Sequence, residues 1–147
     1  MFKIVIKNEK GIGLIEVLVA LAILGIVAAA FLSGLATAAK AIYIADVRTT
    51  AESLARSQIE YVKNQEYIPV LEGADEVTYQ KINGIPAGYT IESVDHTGTT
   101  VGDIKGVPWD SDDGEAEDNE VGLQRIKLVI KHSGNVKITL EDYKVNR

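Results

Sequence analysis

The chain has 147 residues, a formal net charge of −6 and no cysteine. The acidic balance argues against a nucleic-acid-binding face as the main function, because phosphate contacts require clustered lysine and arginine. The absence of cysteine excludes thiol catalysis, cysteine metal sites and disulfides. The length is suited to one modest domain with an additional element.

A short basic leader opens the chain, with Lys3, Lys7 and Lys10 against a single glutamate in residues 1–11. Shortly after it, 23 residues from Val17 to Ala39 carry no charged side chain. As an α-helix this run would be roughly 35 Å long, enough to cross a hydrocarbon core of about 30 Å. Because the lysines precede the run, the positive-inside rule predicts a cytoplasmic N-terminus and an extracytoplasmic remainder.

The helix is predicted to continue past the membrane segment, so that it extends from about Leu14 to about Glu66. Beyond Ala39 the apolar residues recur at spacings of three and four, which is typical of a helix with one core-facing stripe. Pro69 ends any helix before it. The predicted stripe contains Ile44, Val47, Ala51, Leu54, Ala55, Ile59 and Val62.

The C-terminus gives the clearest β signal, two runs that alternate apolar and polar residues around the turn sequence Ser133-Gly134-Asn135. Residues 89–94 predict a further strand, whereas 70–88 and 97–122 are interpreted as irregular because glycine and proline are frequent there. We therefore expect an α+β fold, in which the amphipathic half of the long helix packs on a small antiparallel sheet. The core-facing residues predicted for the hairpin are Ile126, Leu128, Ile130, Val136, Ile138 and Leu140.

One carboxylate, Glu16, interrupts the apolar run that begins at Ile12. An acidic residue costs about 2.5–3.5 kcal/mol at the centre of a bilayer and less near its edge, so such a residue is usually functional. Together with Gly11 and the basic leader, this pattern resembles the class III signal of type IV prepilins and type II secretion pseudopilins. The resemblance covers about the first 30 residues, while the remainder is similar to this family only in architecture.

The resemblance implies that a prepilin peptidase cuts between Gly11 and Ile12 and N-methylates Ile12. Counted from Ile12, Glu16 is the fifth residue, where the family carries its glutamate. The usual first residue is phenylalanine, and Ile12 departs from that. The partner of Glu16 would be the α-amino group of a neighbouring subunit, since pairing relieves two groups that are each unfavourable in lipid and fixes the axial register.

The predicted organisation is a cleaved leader at 1–11, a transmembrane and assembly helix at 12–39, and a soluble pilin-like head at 40–147 that includes the amphipathic half of the helix. The implied function is structural, not enzymatic: a subunit of a type IV pilus or of a type II secretion pseudopilus. Residues 16–23 and the C-terminal strands resemble V-type minor pilins and I-type minor pseudopilins, and a major subunit is the alternative.

The resemblance also implies partners and a location. The partners would be other pilin or pseudopilin subunits, the prepilin peptidase, the inner-membrane assembly platform and the membrane itself, with no direct nucleic-acid contact. The precursor would be a single-pass inner-membrane protein with its N-terminus in the cytoplasm. The mature chain would then enter an extracytoplasmic pilus or pseudopilus.

A conventional signal peptide is the rival interpretation of the N-terminus. Ala36-Thr37-Ala38 is an A-x-A sequence after an apolar run, and cleavage there would yield a secreted soluble domain with a binding role; a membrane-anchored binding domain is the variant of this alternative. Against this interpretation, the apolar run is much longer than an ordinary h-region of about 7–15 residues.

The acidic segment near the C-terminus raises the question of calcium. Asp110, Asp112 and Asp113 offer hard oxygen ligands close together, and the major pseudopilins of type II secretion bind calcium in a loop near the C-terminus. The spacing does not match a full EF-hand loop, so a solvated loop is the preferred interpretation and no cofactor is assigned. His96 and His132 have no second histidine at ligand spacing and are expected to be structural.

Overall fold

The structure, a computed structural model, describes residues 12–71, 73–109 and 122–146. The chain divides into two compact units, Met1–Ile44 and Ala45–Arg147. Within the described residues, one helix and six strands follow one another: α1 (Ile12–Asn64), β1 (Val77–Tyr79), β2 (Tyr89–Val94), β3 (Thr100–Val101), β4 (Ile104–Pro108), β5 (Leu123–His132) and β6 (Asn135–Val145). The expected α+β class is confirmed.

Helix α1 has 53 residues and begins and ends within two residues of the predicted bounds. In the second unit its apolar stripe packs on the sheet, with Leu54 half-buried and Val47, Ala51, Ala55, Ile59 and Val62 buried. The prediction for Ile44 is wrong, since this residue is 56% exposed. The periodicity of apolar residues identifies which face of the helix is buried, but it does not show where along the helix the sheet begins to cover that face. The buried stripe starts at Val47.

Strand β5 lies at the centre of an antiparallel sheet. One of its edges pairs with β6 along nearly its whole length, and the other pairs with β2 and β4. The short strands β1 and β3 extend the sheet by pairing with β4 and β2. The sheet residues that form the core with the helix stripe include Tyr79, Ile91, Ile104, Ile126, Leu128 and Ile130, all of them buried.

The C-terminal hairpin is confirmed, with a two-residue loop in place of the three-residue turn sequence. His132 pairs with Asn135, and Ser133 and Gly134 between them have φ of 52° and 78°, as a type I′ turn requires. The prediction for Val136 is wrong, because it is 56% exposed. A register shift after Ile130 pairs Val136 with Lys131, so the bulge moves Val136 to the wet face of the strand.

Three strands lie in segments that the sequence analysis interpreted as irregular, namely β1, β3 and β4. In β4, Gly106 lies against the ring of Tyr79, and a Cβ atom built on it would be 2.7 Å from Tyr79 Cε2. The glycine therefore allows close packing inside a strand and does not mark a turn. Reading 97–122 as a loop is wrong for β3 and β4, and reading 70–88 as irregular is wrong for β1.

A buried polar network joins Tyr79 to the segment that follows the helix. Tyr79 Oη donates to Gln124 Oε1 at 2.6 Å, and Gln124 Nε2 donates to the carbonyl of Ile68 at 2.7 Å. Gln124 is fully buried, so these bonds replace the water that its amide loses on folding. The network fixes the segment after α1 on the end of the sheet.

Candidate functional site

The candidate site is the N-terminal part of α1, in the first unit. The helix begins at Ile12, the first residue after the predicted scissile bond. Gly11 and the basic leader lie outside the described residues, so the cleavage site itself is not described. Leucine, isoleucine and alanine dominate the sequence here, and leucine and alanine rank among the best helix formers.

Glu16 lies one helical turn after Ile12 and is exposed. Among the residues that the structure describes, it has no hydrogen-bond or ion-pair partner. Its neighbours along the chain, Leu14, Ile15 and Val17, are large, apolar and more than half exposed. A carboxylate in such surroundings is stabilised only if another molecule supplies a cation or a donor.

The helix beyond Glu16 presents an apolar surface on all its sides. Every residue from 17 to 39 is exposed, and the large hydrophobic side chains among them are 54–71% exposed. Soluble monomers rarely expose contiguous apolar patches above a few hundred Å², so this surface requires lipid or other helices. It contains hydroxyls as well, and that of Thr37 donates to the carbonyl of Ser33 at 3.0 Å, which satisfies it within the helix.

By length and composition, the described residues contain one helix able to cross a membrane, and none of its most apolar window is buried. Ala36-Thr37-Ala38, the rival cleavage sequence, lies inside this continuous helix. The division into a segment at 12–39 and a head at 40–147 stays a prediction.

Comparison with known proteins decides what kind of signal this is. Residues 6–32 match the family model of the prokaryotic N-terminal methylation motif. This match supports a precursor similar to type IV pilins and pseudopilins. The methylation motif is the hallmark of type IV pilins and pseudopilins, and it points to a structural subunit. No curated protein and no solved structure matches the chain.

The methylation motif spans Gly11, Ile12 and Glu16, the residues that the sequence analysis singled out. The match confirms the resemblance to prepilins, whereas the roles of these three residues stay predictions. The motif also implies processing by a prepilin peptidase, assembly with other pilin subunits and anchoring by a single membrane span.

In the part of the head that the structure describes, no second candidate has comparable support. Asp110, Asp112 and Asp113 lie outside the described residues, so the calcium hypothesis stays untested. In the described ranges, no three or more histidine, aspartate or glutamate side chains gather in a way that would hold a metal. The ring of His132 packs against that of Tyr89, with the ring centroids 4.5 Å apart, which is a packing contact.

His96 belongs to an ion cluster that the sequence analysis missed. Its Nδ1 is 3.2 Å from Glu76 Oε2, and Lys105 Nζ is 2.9 Å from Glu76 Oε1. Burial raises the pKa of Glu76, but the hydrogen bonds from Lys105 and His96 outweigh it and hold the pKa below its ordinary value. The cluster joins the segment before β1 to the β2–β3 turn and to β4. The three residues are far apart in sequence, so no local pattern reveals it.

Lys144 in β6 is another residue that the sequence analysis did not single out. It is 3% exposed, and its ammonium group lies at the C-terminal end of α1. A signal for it exists in the strand pattern, because Lys144 occupies the same alternate positions as Ile138 and Leu140, which face the core. A lone lysine on such a face predicts a buried cation with a specific partner.

Proposed function

We propose that the chain is a minor subunit of a type IV pilus or of a type II secretion pseudopilus, which polymerises through α1 after a prepilin peptidase cuts between Gly11 and Ile12. The observation that carries the proposal is the methylation motif at residues 6–32, at the start of a helix whose apolar surface is exposed. A filament of parallel helices would bury that surface, and the membrane would hold the same surface before assembly.

Glu16 has a defined part in this proposal. Cleavage before Ile12 creates an α-amino group four residues from Glu16 on the same helix. If the amine of one subunit lies level with the carboxylate of its neighbour, the two helices are shifted by roughly 6 Å, which is four residues of about 1.5 Å each. An ion pair at about 4 Å is worth roughly 4 kcal/mol at an effective dielectric constant near 20, so the contact would set the register strongly.

The minor subtype rests on the similarity of residues 16–23 and of the C-terminal strand pair to V-type minor pilins and I-type minor pseudopilins. The hairpin of β5 and β6 agrees with that architecture. The precursor would lie in the inner membrane with its N-terminus in the cytoplasm, and the assembly platform would extract it into the filament. The alternative is a secreted or membrane-anchored binding domain with a conventional signal sequence, supported by the Ala36-Thr37-Ala38 sequence.

The test replaces Glu16 by alanine and by glutamine in the full chain. Both variants are expected to insert and to be cleaved, because the membrane segment becomes more apolar and the scissile bond is unchanged. Incorporation into sheared filaments, relative to processed protein in membranes, should fall at least about tenfold for alanine, the equivalent of about 1.4 kcal/mol. Glutamine should restore part of the loss, because it donates and accepts hydrogen bonds without a charge.

The matched control is Ile23→Ala, a truncation of another exposed residue on the same helix, where the side chain is 57% exposed. It removes apolar contact but no charge, so incorporation should fall less than for Glu16→Ala. Equal incorporation of wild type and Glu16→Ala, with both proteins cleaved, would show that the carboxylate does not set the register.

A further inference from the structure

The C-terminal end of α1 gathers three backbone carbonyls around one point. The last carbonyls of a helix have no intrahelical donors and together carry a partial negative charge. Here the carbonyl oxygens of Val62, Lys63 and Gln65 lie 2.7, 3.2 and 2.6 Å from Lys144 Nζ. We call these three oxygens the carbonyl cage.

The carbonyl cage fits a primary ammonium group. Such a group has three N–H donors, and the cage offers one acceptor for each of them. The ring of Tyr79 adds a fourth wall, with its centroid 5.3 Å from Nζ, a distance at which the ring attracts a cation. In the described residues no carboxylate forms an ion pair with Lys144, so carbonyl oxygens and a ring hold the charge.

The ammonium group is delivered by the last strand. Lys144 pairs with Gln124 in the β5–β6 ladder, and its ammonium group donates to a carbonyl at the C-terminal end of the helix. Burial lowers the pKa of Lys144, while the three hydrogen bonds favour the charged form. A cation without a partner would not be retained at 3% exposure.

A cavity of about 650 Å³ adjoins the carbonyl cage. Residues 63–67 line it on the helix side and residues 143–146 on the strand side, and Lys144 is among them. The cavity is large enough for a small organic cation to reach the cage if the lysine side chain is shortened.

We propose that the carbonyl cage is a cation-binding site for a primary ammonium group, and that Lys144 is its tethered occupant. In this proposal β6 supplies the cation that binds the carbonyl oxygens at the C-terminal end of α1. If the tether is cut, a free alkylammonium ion of matching length binds in its place. Because the binding groups are backbone carbonyls, removing the lysine side chain leaves the site itself in place.

The experiment uses the full chain in detergent micelles and the variant Lys144→Ala. Alanine removes three methylene groups and the nitrogen, which together correspond to propylammonium. Trp109, the single tryptophan, packs edge-on against Tyr143 at 5.1 Å, so its fluorescence reports unfolding of the head next to the site. The variant should melt below wild type, and propylammonium should raise its midpoint in a saturable manner, as mass action requires for a ligand of the native state.

Wild type and Lys63→Ala are the matched controls. Lys63 also lies at the end of the helix, but its Nζ is paired at 2.7 Å with the half-exposed Asp142 and lies outside the cage. Propylammonium should leave the midpoint of both controls unchanged, and tetramethylammonium, which has no N–H donor, should leave that of Lys144→Ala unchanged. Equal shifts in all three proteins, or equal shifts with the two cations, would overturn the proposal.

A second variant keeps the test decisive if Lys144→Ala does not fold. Lys144→Gln keeps a polar chain with N–H donors but removes the positive charge, so it should fold and melt below wild type. A midpoint equal to that of wild type would show that the carbonyl cage does not require a cation, and the proposal would be wrong.

Discussion

Gly106 in β4 permits a sharp test of the fold. Replacing it by alanine adds one methyl group, and that Cβ atom would lie 2.7 Å from Tyr79 Cε2, 2.9 Å from Gln124 Oε1 and 3.1 Å from Val77 Cγ2. Real Cβ contacts essentially never fall below 3.0 Å, so Tyr79 and Gln124 must move, although their mutual hydrogen bond is only 2.6 Å long and buried. Overpacking of this kind costs about 1–3 kcal/mol.

The expected result is a large drop in the melting temperature of the head. For a domain of this size about 1 kcal/mol corresponds to a shift of about 4–8 °C, so a cost of about 1–3 kcal/mol predicts that Gly106→Ala melts about 4–24 °C below wild type. Tryptophan fluorescence of the full chain in detergent provides the measurement, since Trp109 follows β4 directly.

Gly102→Ala is the matched control. Among the described residues other than its two chain neighbours, none has a heavy atom within 4 Å of a Cβ built on Gly102, and its backbone is not in the left-handed region, so this variant should melt close to wild type. If Gly106→Ala had the same melting temperature as Gly102→Ala, residues 104–108 would not be packed as a strand on Tyr79. The sequence-based interpretation of this segment as a loop would then be the better one.

Two further predictions concern the charged groups of the head. The folded-state pKa of Glu76 lies below its ordinary value of 4.5, so its stabilising effect is present above that pH and is lost as the pH falls through the folded-state value. When the pH is lowered from about 6 to about 3, the urea unfolding midpoint of Glu76→Gln should therefore fall less than that of wild type. Equal decreases in the two midpoints would contradict a stabilising role of the ion cluster. For Asp110, Asp112 and Asp113, the solvated-loop interpretation predicts the same melting temperature in calcium and in chelator, whereas a higher one in calcium would establish a bound ion.

The helix and the hairpin were predictable because their signals are local. Charge-free length marks the first half of α1, and three-and-four spacing identifies the buried face of its second half from Val47 onward. Strict alternation at Ile126, Leu128 and Ile130 predicts the central strand, and all three side chains are fully buried. In each of these elements, one dominant burial requirement determines the residue pattern.

Strand β2 matches the predicted residues 89–94, whereas strands β1, β3 and β4 and two details of β6 were not predictable, because their residue choices depend on distant partners. Gly106 is small because Tyr79 lies against it, 27 residues away along the chain. Val136 is exposed because a bulge moves its side chain to the solvent-facing side of the sheet. A bulge cannot be located from the alternation of residues in one strand. Lys144 is a charged residue at a core-facing position of β6, and it donates hydrogen bonds to backbone carbonyls about 80 residues earlier in the chain.

The candidate site was more predictable than the head, since its chemistry depends on one-dimensional spacing. The prepilin-type signal consists of a leader, a glycine and an apolar run, and each of these is visible in the printed sequence. The match at residues 6–32 confirms the resemblance to prepilins, while the roles of Gly11, Ile12 and Glu16 stay predictions. The structure adds that Glu16 lies on an exposed face of the helix.

The central claim is that this chain is a prepilin-like precursor that is cut between Gly11 and Ile12. Mass spectrometry of the protein extracted from membranes tests it most directly, because the intact mass and the N-terminal peptide identify both the cut and the methyl group. The account predicts a mature chain that begins with N-methylated Ile12. A chain that begins at Ala39 would establish the conventional signal peptide and contradict the account, and so would an uncut chain that retains its leader.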